Sequence, residues 1–138
     1  MSMEWHVAFS GQWGDLNLKV ELNGQQRPVA LIGPNGAGKS TILRMMAGAI
    51  RPPTGRFQLG SRILVDTQEG IDSPPHQRRV GFVPQGFALF PHLNVLDNVM
   101  FGLRAQGMHH STSQQRAQSI LSSLNISHHT EMLRWYFI

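Results

Sequence analysis

The chain has 138 residues, enough for one domain with a hydrophobic core, and its 41% apolar and 14% charged residues are typical of a globular protein. Its net charge of +4 comes without a run rich in Lys or Arg, which argues against binding to nucleic acid. The absence of cysteine excludes disulfides and thiolate metal sites. Neither a secretory signal nor an apolar run of the roughly 20 residues that span a bilayer is found, so we expect a cytosolic chain whose membrane role, if any, is peripheral.

Two alternating patterns near the N-terminus predict an antiparallel β-layer. Apolar and polar residues alternate over residues 5–9 and again over residues 16–22, which is the period of a half-buried strand. The turn between them, residues 10–15, contains Trp13. A tryptophan in such a turn either covers a small core or offers its ring to a nucleotide base.

A glycine-rich loop follows residues 29–32, an apolar run that predicts a strand. The loop reads G-x-x-x-x-G-K-S and continues with a threonine, so its residues are Gly33, Pro34, Asn35, Gly36, Ala37, Gly38, Lys39, Ser40 and Thr41. Glycines let the backbone N–H groups turn inward, and a helix predicted over residues 39–50 adds the positive end of its dipole. Lys39 would reach the β- and γ-phosphates of a nucleotide, and the Ser40 hydroxyl would bind Mg²⁺. The spacing therefore predicts a phosphate-binding loop rather than a flexible turn.

Short strands and a surface loop are predicted after this helix, which Pro52 and Pro53 would stop. The segments predicted as strand, strand and polar loop are, in order, residues 56–59, 62–65 and 66–77.

A further buried strand is predicted over residues 80–83, and Pro84 ends it. Gln85 then stands at the carboxyl end of the strand, where open α/β sheets place ligand-binding groups. The alternative is an ordinary polar loop residue.

Two helices are predicted in the last third of the chain. Asn94 would cap a helix over residues 95–103, and a second helix would follow over residues 112–124. The large apolar side chains of residues 87–93 are too many for a free loop, so we expect them to pack or to meet a partner.

Three motifs in this order resemble the nucleotide-binding domain of ABC transporters. Residues 33–41 match the Walker A loop of that family, and residues 51–55 match the turn after its helix. Residues 78–85, followed by residues 89–99, are similar to its strand, its Q-loop and the opening of its helical subdomain. The resemblance covers about residues 3–126. Within the family, the sequence of these motifs is most similar to that of importer ATPases for molybdate and related oxyanions, or for polyamines.

The resemblance implies an α/β fold with an incomplete P-loop NTPase core. An antiparallel β-layer and part of the core would occupy residues 1–84, and the Q-loop and the start of a helical subdomain would occupy residues 85–126. Residues 127–138 do not match the family. The implied partners are a transmembrane permease and a second ATP-binding subunit placed head to tail, at the cytoplasmic face of the cell membrane, with no nucleic acid.

The resemblance also implies ATP and Mg²⁺ as ligands and assigns roles to particular residues. Trp13 would stack on adenine, the loop amides up to Lys39 would hold phosphate, and Thr41 would support the α-phosphate. Gln85 would touch Mg²⁺ or the attacking water. The candidate catalytic residues are then Lys39 and Gln85, and the candidate metal ligands are Ser40 and Gln85.

Several family motifs do not occur in the sequence: the LSGGQ signature, the Walker B aspartate with its catalytic glutamate, and the switch histidine. Because phosphoryl transfer needs these groups, we expect nucleotide binding without hydrolysis, and poor stability of the chain alone. The chain is then either a fragment or changes reading frame near His128. Two other functions remain open: a non-catalytic nucleotide-binding or dimer-poisoning fragment, and an ABC-type ATPase of DNA repair or translation.

Overall fold

The computed structural model describes residues 4–127 and residue 130, and in this part of the chain there are one five-stranded sheet and four helices. The chain divides into two compact units, Met1–Phe82 and Val83–Ile138. Each unit has its own hydrophobic cluster. No helix in the described residues is long and apolar enough to cross a membrane.

The sheet of the first unit is antiparallel throughout and has the strand order β2-β1-β3-β4-β5. Its strands are β1 (Trp5–Trp13), β2 (Leu16–Gly24), β3 (Thr54–Leu59), β4 (Arg62–Asp66) and β5 (Ile71–Asp72). The predicted antiparallel β-layer is therefore confirmed. The predicted turn over residues 10–15 was too long, because pairing with β2 extends β1 to Trp13. The hairpin therefore has a two-residue turn in which Gly14 has a φ of 56°, in the left-handed region that glycine tolerates.

The core of the first unit lies between one face of this sheet and helix α1 (Lys39–Ala47). In the β1–β2 register Val7 lies opposite Leu22, and Phe9 lies opposite Val20, so the alternating apolar residues of both strands share that face. From α1, Ile42 and Met45 join the cluster. The buried members of the cluster are Val7, Phe9, Leu18, Ile42, Met45, Phe57, Leu64 and Val65.

Helix α1 ends earlier than predicted, at Ala47 rather than Ile50. Gly48 has a φ of 84° and donates its N–H to the carbonyl of Met45 at 3.2 Å, while the N–H of Ala49 reaches the carbonyl of Arg44 at 2.9 Å. This left-handed C-cap supplies donors to the carbonyls of Arg44 and Met45 before the chain reaches the prolines.

Residues 29–32 and 80–83, both predicted as strands, form no strand in the structure. A strand needs a neighbour to accept and donate its ladder hydrogen bonds, and the described residues supply none to either segment. Several of their apolar side chains are accordingly open to solvent, with Ile32 94% exposed and Val83 77% exposed, whereas Val80 packs partly buried against the core of the first unit. The predicted surface loop over residues 66–77 was also wrong, since it contains β5 and the start of the short helix α2 (Pro75–Arg78).

The second unit is built on helices α3 (Val95–Ala105) and α4 (His110–Ser123). The helices bury Leu96, Met100, Ala117 and Leu121 between them. Asn94 caps α3 as predicted, because its Oδ1 accepts the N–H of Asp97 at 2.7 Å. The predicted non-matching tail, residues 127–138, lies outside the described residues except at positions 127 and 130.

Candidate phosphate-binding site

The glycine-rich loop lies directly on the sheet of the first unit. Gly36 and Gly38 have φ values of 80° and 87°, a conformation that costs other residues about 1–2 kcal/mol. A Cβ on Gly38 would lie 2.9 Å from Cδ2 of Leu16 and 3.3 Å from Cδ1 of Leu18. Glycine is therefore favoured at position 38 by its backbone conformation, and a side chain there would displace the leucine methyl groups of β2.

Helix α1 begins at Lys39 with its N-terminus open to a ligand. Among the described residues no side chain caps this end, and the first turn has no acidic residue. The first N–H groups of a helix have no acceptor within the helix, and they carry the positive end of its dipole. At the start of α3, by contrast, Asn94 caps the backbone and Asp97 supplies a carboxylate. In the described part of the chain, the start of α4 is also without a side-chain cap or an acidic residue, so the glycine loop and Lys39 are what distinguish α1. The start of α1 therefore fits an anion supplied from outside the chain.

The ammonium group of Lys39 is held over the loop. Its Nζ donates to the carbonyl oxygen of Gly33 at 2.8 Å and to that of Pro34 at 2.6 Å. An ammonium group has three N–H donors, so one remains for a ligand. The positive charge consequently stays beside the open helix end instead of extending into solvent.

Trp13 lies on the same face of the sheet as the phosphate loop. The β1–β2 register pairs Trp13 with Leu16, and side chains directly opposite each other on an antiparallel pair have Cβ atoms roughly 4.5–5.5 Å apart. Leu16 is also the residue closest to the position that a Cβ on Gly38 would occupy. Trp13 and the glycine loop thus border one leucine, and the indole, 42% exposed, keeps an accessible surface. The sequence did not predict that Trp13 lies near the glycine loop, because this proximity depends on the register of the β1–β2 hairpin.

Gln85 belongs to the second unit, whereas the phosphate loop belongs to the first. It occupies a turn in which the N–H of Phe87 donates to the carbonyl of Pro84 at 2.9 Å, and its side chain is exposed. Phe87 and Ala88 follow with φ values of 59° and 52°, and each such residue costs about 1–2 kcal/mol. The segment after Gln85 is therefore a strained, exposed turn.

Asn98 organises the loop that follows this turn, a role that the sequence pattern did not reveal. Its Oδ1 accepts the N–H of Phe90 at 2.8 Å, and its Nδ2 donates to the carbonyls of Phe90, Leu93 and Asn94 at 3.1, 3.0 and 3.0 Å. One amide side chain on α3 thereby holds residues 90–94. Nothing in the local sequence separates Asn98 from a solvent-facing helical residue.

Sequence comparison matches residues 15–135 to the family described as ABC transporter, so the match extends into residues 127–138, the segment predicted not to match. An Fe(3+) ions import ATP-binding protein of Pectobacterium atrosepticum is 38% identical over 117 residues, which cover 85% of this chain and 32% of that protein. A molybdenum import ATP-binding protein of Mycobacterium tuberculosis is 49% identical over 89 residues, or 64% of this chain and 24% of that protein. A spermidine/putrescine import ATP-binding protein of Fusobacterium nucleatum is 39% identical over 116 residues, or 84% and 28%. The chain thus spans about a third or less of these relatives' length.

Structural comparison identifies the fold. The chain is similar to an ATP-binding cassette solved as a dimer in a post-hydrolysis state with ADP and phosphate, with a TM-score of 0.70 over 97% of this chain and 62% of that chain. The two sequences are 24% identical, so the likeness concerns the fold alone. It confirms the predicted α/β class with a P-loop NTPase core.

Proposed function

The chain belongs to the ABC transporter family, and from this premise we propose that it binds Mg²⁺-ATP as the nucleotide-binding part of an importer's ATP-binding subunit. The observation that carries the proposal is the open N-terminus of α1 with the Lys39 ammonium held beside it. Relatives named as import ATP-binding proteins support the importer assignment. The transported substrate is a property of the whole transporter, and these relatives import chemically different cargoes.

The phosphate groups would be bound by the loop backbone and by Lys39. The amides of Gly36, Ala37, Gly38 and Lys39 lie at or next to the helix start, where N–H groups and the dipole favour negative charge. The unused N–H donor of Lys39 would make a charge-assisted hydrogen bond to a phosphate oxygen. Thr41, in the first turn of α1, would support the α-phosphate.

The metal would be held by oxygen ligands, as Mg²⁺ prefers. Ser40 offers an exposed hydroxyl in the first turn of α1, and the exposed side chain of Gln85 carries an amide oxygen. When bound, Mg²⁺ would neutralise phosphate charge. We propose Ser40 as the direct ligand and Gln85 as a ligand or as the residue that orients water.

The adenine ring would stack on Trp13. The supporting observation is that Trp13 and Gly38 border the same leucine, which brings an aromatic surface to the phosphate loop within one unit. Stacking on an aromatic side chain is worth about 1–3 kcal/mol per base.

Hydrolysis would require groups that these 138 residues do not contain. Lys39, Ser40 and Gln85 bind and orient, but no LSGGQ signature or Walker B carboxylate occurs in the sequence. We therefore infer that this chain binds nucleotide without turnover, and that turnover needs a second ATP-binding subunit and further catalytic residues.

The second unit would contact a membrane permease. Phe87 is 68% exposed, Leu89 45% and Phe101 48%, which is a concentration of large apolar side chains typical of a docking surface. Asn98 hydrogen-bonds residues 90–94, which lie between Leu89 and Phe101 in the chain, and this would restrict the conformations of the surface. Docking on a permease would bring the chain to the cytoplasmic face of the membrane.

Titration calorimetry with Mg²⁺-ATP tests the nucleotide proposal, and the sequence supplies a matched control. The chain has two lysines, Lys39 in the loop and Lys19 on β2. Because a hydrogen bond to a charged group is worth about 1.5–3 kcal/mol, Lys39→Ala should weaken binding by about 10- to 100-fold. Lys19→Ala should leave the affinity unchanged.

Two results would reject this function. The unsubstituted chain could fail to bind Mg²⁺-ATP, or both lysine variants could lose affinity equally. Phosphate release is the separate assay for turnover. Steady release by the chain, abolished in Lys39→Ala, would disprove the non-hydrolytic half of the proposal and leave the binding half intact.

A further inference from the structure

Arg78 is a buried cation at the far end of the phosphate-loop helix. Its side chain is 1% exposed, and it is among the largest fully buried side chains of the described residues. Its Nη1 donates to the carbonyls of Met45 and Met46 at 2.7 and 2.9 Å. Its Nε donates to the carbonyl of Ser73 at 2.6 Å, and its Nη2 donates to Oδ1 of Asp72 at 2.8 Å. One guanidinium group thus joins the end of α1 to the segment that begins in β5.

The charge of this group suits the helix end that it contacts. The carbonyls of Met45 and Met46 belong to the last turn of α1, which carries the negative end of the dipole, and the carbonyl of Met45 also accepts the N–H of Gly48 at 3.2 Å. Burial lowers the pKa of the Arg78 guanidinium from its ordinary value, while the neighbouring Asp72 carboxylate opposes that change. An arginine nevertheless stays protonated in proteins, so the helix end faces a permanent cation.

The backbone around this contact is adapted to it. Gly48, the C-cap of α1, has a φ of 84°, and a Cβ there would lie 2.7 Å from Nε and 2.9 Å from Cζ of Arg78. The glycine therefore both ends the helix and leaves room for the guanidinium. This observation is independent of the hydrogen bonds and indicates the same fixed position for Arg78.

The first turn of α1 is linked mechanically to its last turn. The helix has nine residues, Lys39–Ala47, and at a rise of 1.5 Å per residue it is roughly 13 Å long. Because backbone hydrogen bonds connect the successive turns of so short a helix, we expect a shift of its last turn to redirect Lys39 and Ser40. Ligand geometry is sensitive to displacements of about 1 Å.

We propose that Arg78 is a positioning residue for the nucleotide site, which anchors the last turn of α1 and thereby sets the direction of the phosphate-binding turn at its start. This inference rests on the proposed function, since it concerns binding of the same nucleotide. Arg78 touches no ligand in this scheme. It acts through the helix.

The test compares affinity with stability in the full chain. Arg78→Met keeps the aliphatic volume but removes every hydrogen bond and the charge, and Arg78→Lys keeps the charge without the fork that reaches four acceptors. The control is Leu64→Ala, a core substitution on β4 outside α1. Mg²⁺-ATP affinity is measured by calorimetry at a temperature where urea unfolding shows each variant to be folded. Arg78→Met should weaken binding about tenfold or more. Arg78→Lys should recover part of that loss, and Leu64→Ala should bind as the unsubstituted chain does.

The outcomes separate this inference from the proposed function. If the unsubstituted chain binds and Lys39→Ala weakens binding, but Arg78→Met matches Leu64→Ala, then Arg78 is a stability residue only and the inference is wrong. If Arg78→Met does not fold, Gly48→Ala and Asp72→Asn disturb the same guanidinium from its two sides. Weakened binding in both folded variants supports the inference, and unchanged affinity in both overturns it. Absence of binding by the unsubstituted chain rejects the proposed function itself.

Discussion

Gly38→Ala is the sharpest test of the contact between the phosphate loop and the sheet. The added Cβ would stand 2.9 Å from Cδ2 of Leu16 and 3.3 Å from Cδ1 of Leu18, so the leucines or the loop must shift. Overpacking of this kind costs about 1–3 kcal/mol. The φ of 87° adds about 1–2 kcal/mol for any residue with a Cβ. Alanine also lowers the conformational entropy of the unfolded chain, which offsets about 0.4–1 kcal/mol of this loss in stability.

We therefore expect Gly38→Ala to lower the free energy of unfolding by about 2–4 kcal/mol. Gly36→Ala is the matched control in the same loop, because its φ is 80° but nothing lies within 4 Å of the position of its Cβ. Gly36→Ala should lower the free energy of unfolding by about 1 kcal/mol, the contribution of the backbone conformation alone. Urea unfolding followed by far-ultraviolet circular dichroism, with linear extrapolation to water, measures both values.

The difference between the stability losses of Gly38→Ala and Gly36→Ala measures the contact between the loop and β2. A loss for Gly38→Ala that equals the loss for Gly36→Ala would show that the loop does not rest on β2 in solution. The steric argument for the position of the loop would then be wrong, even if both variants were less stable than the unsubstituted chain.

Two further substitutions test features that lie away from the loop. Asn98→Ala removes four hydrogen bonds to residues 90–94 and should lower the free energy of unfolding by about 2–3 kcal/mol in thermal or urea unfolding. Asn94→Ala is the control, because it removes one helix cap and should cost about 1 kcal/mol. Equal losses would contradict the role given to Asn98. Gly55→Ala would drive its Cβ into the carbonyl oxygen of Ala8 on β1 at a φ of 139°, so we expect a loss above about 4 kcal/mol or no soluble protein. Gly60→Ala is the control, because its φ is 59° with open space around it, and it should cost about 1 kcal/mol. A soluble Gly55→Ala variant that unfolds cooperatively would refute the close packing of β3 against β1 at this position.

Features that depend on neighbouring residues in the chain were predicted correctly from the sequence. The alternation over residues 5–9 and 16–22 predicts two half-buried strands, and both form. The start of α1 after the glycine loop and the Asn94 cap of α3 also stand where they were predicted. Strand alternation, turn geometry and helix capping act over a few residues, which is why the sequence alone determined them. The roles of Lys39, Ser40 and Gln85 toward a nucleotide remain predictions.

Other features could be decided only by the tertiary structure, because they depend on residues that are distant in sequence. Residues 29–32 and 80–83 have strand composition, yet a strand exists only when another segment completes its hydrogen-bond ladder. Trp13 borders the phosphate loop because the hairpin register places it opposite Leu16, the leucine that Gly38 approaches. Arg78 reads as one more surface cation until the fold buries it against carbonyls more than thirty residues earlier in the chain. The sequence alone thus determined the glycine loop and the start of the helix after it, and the tertiary structure determined which residues surround that loop and contact the end of its helix.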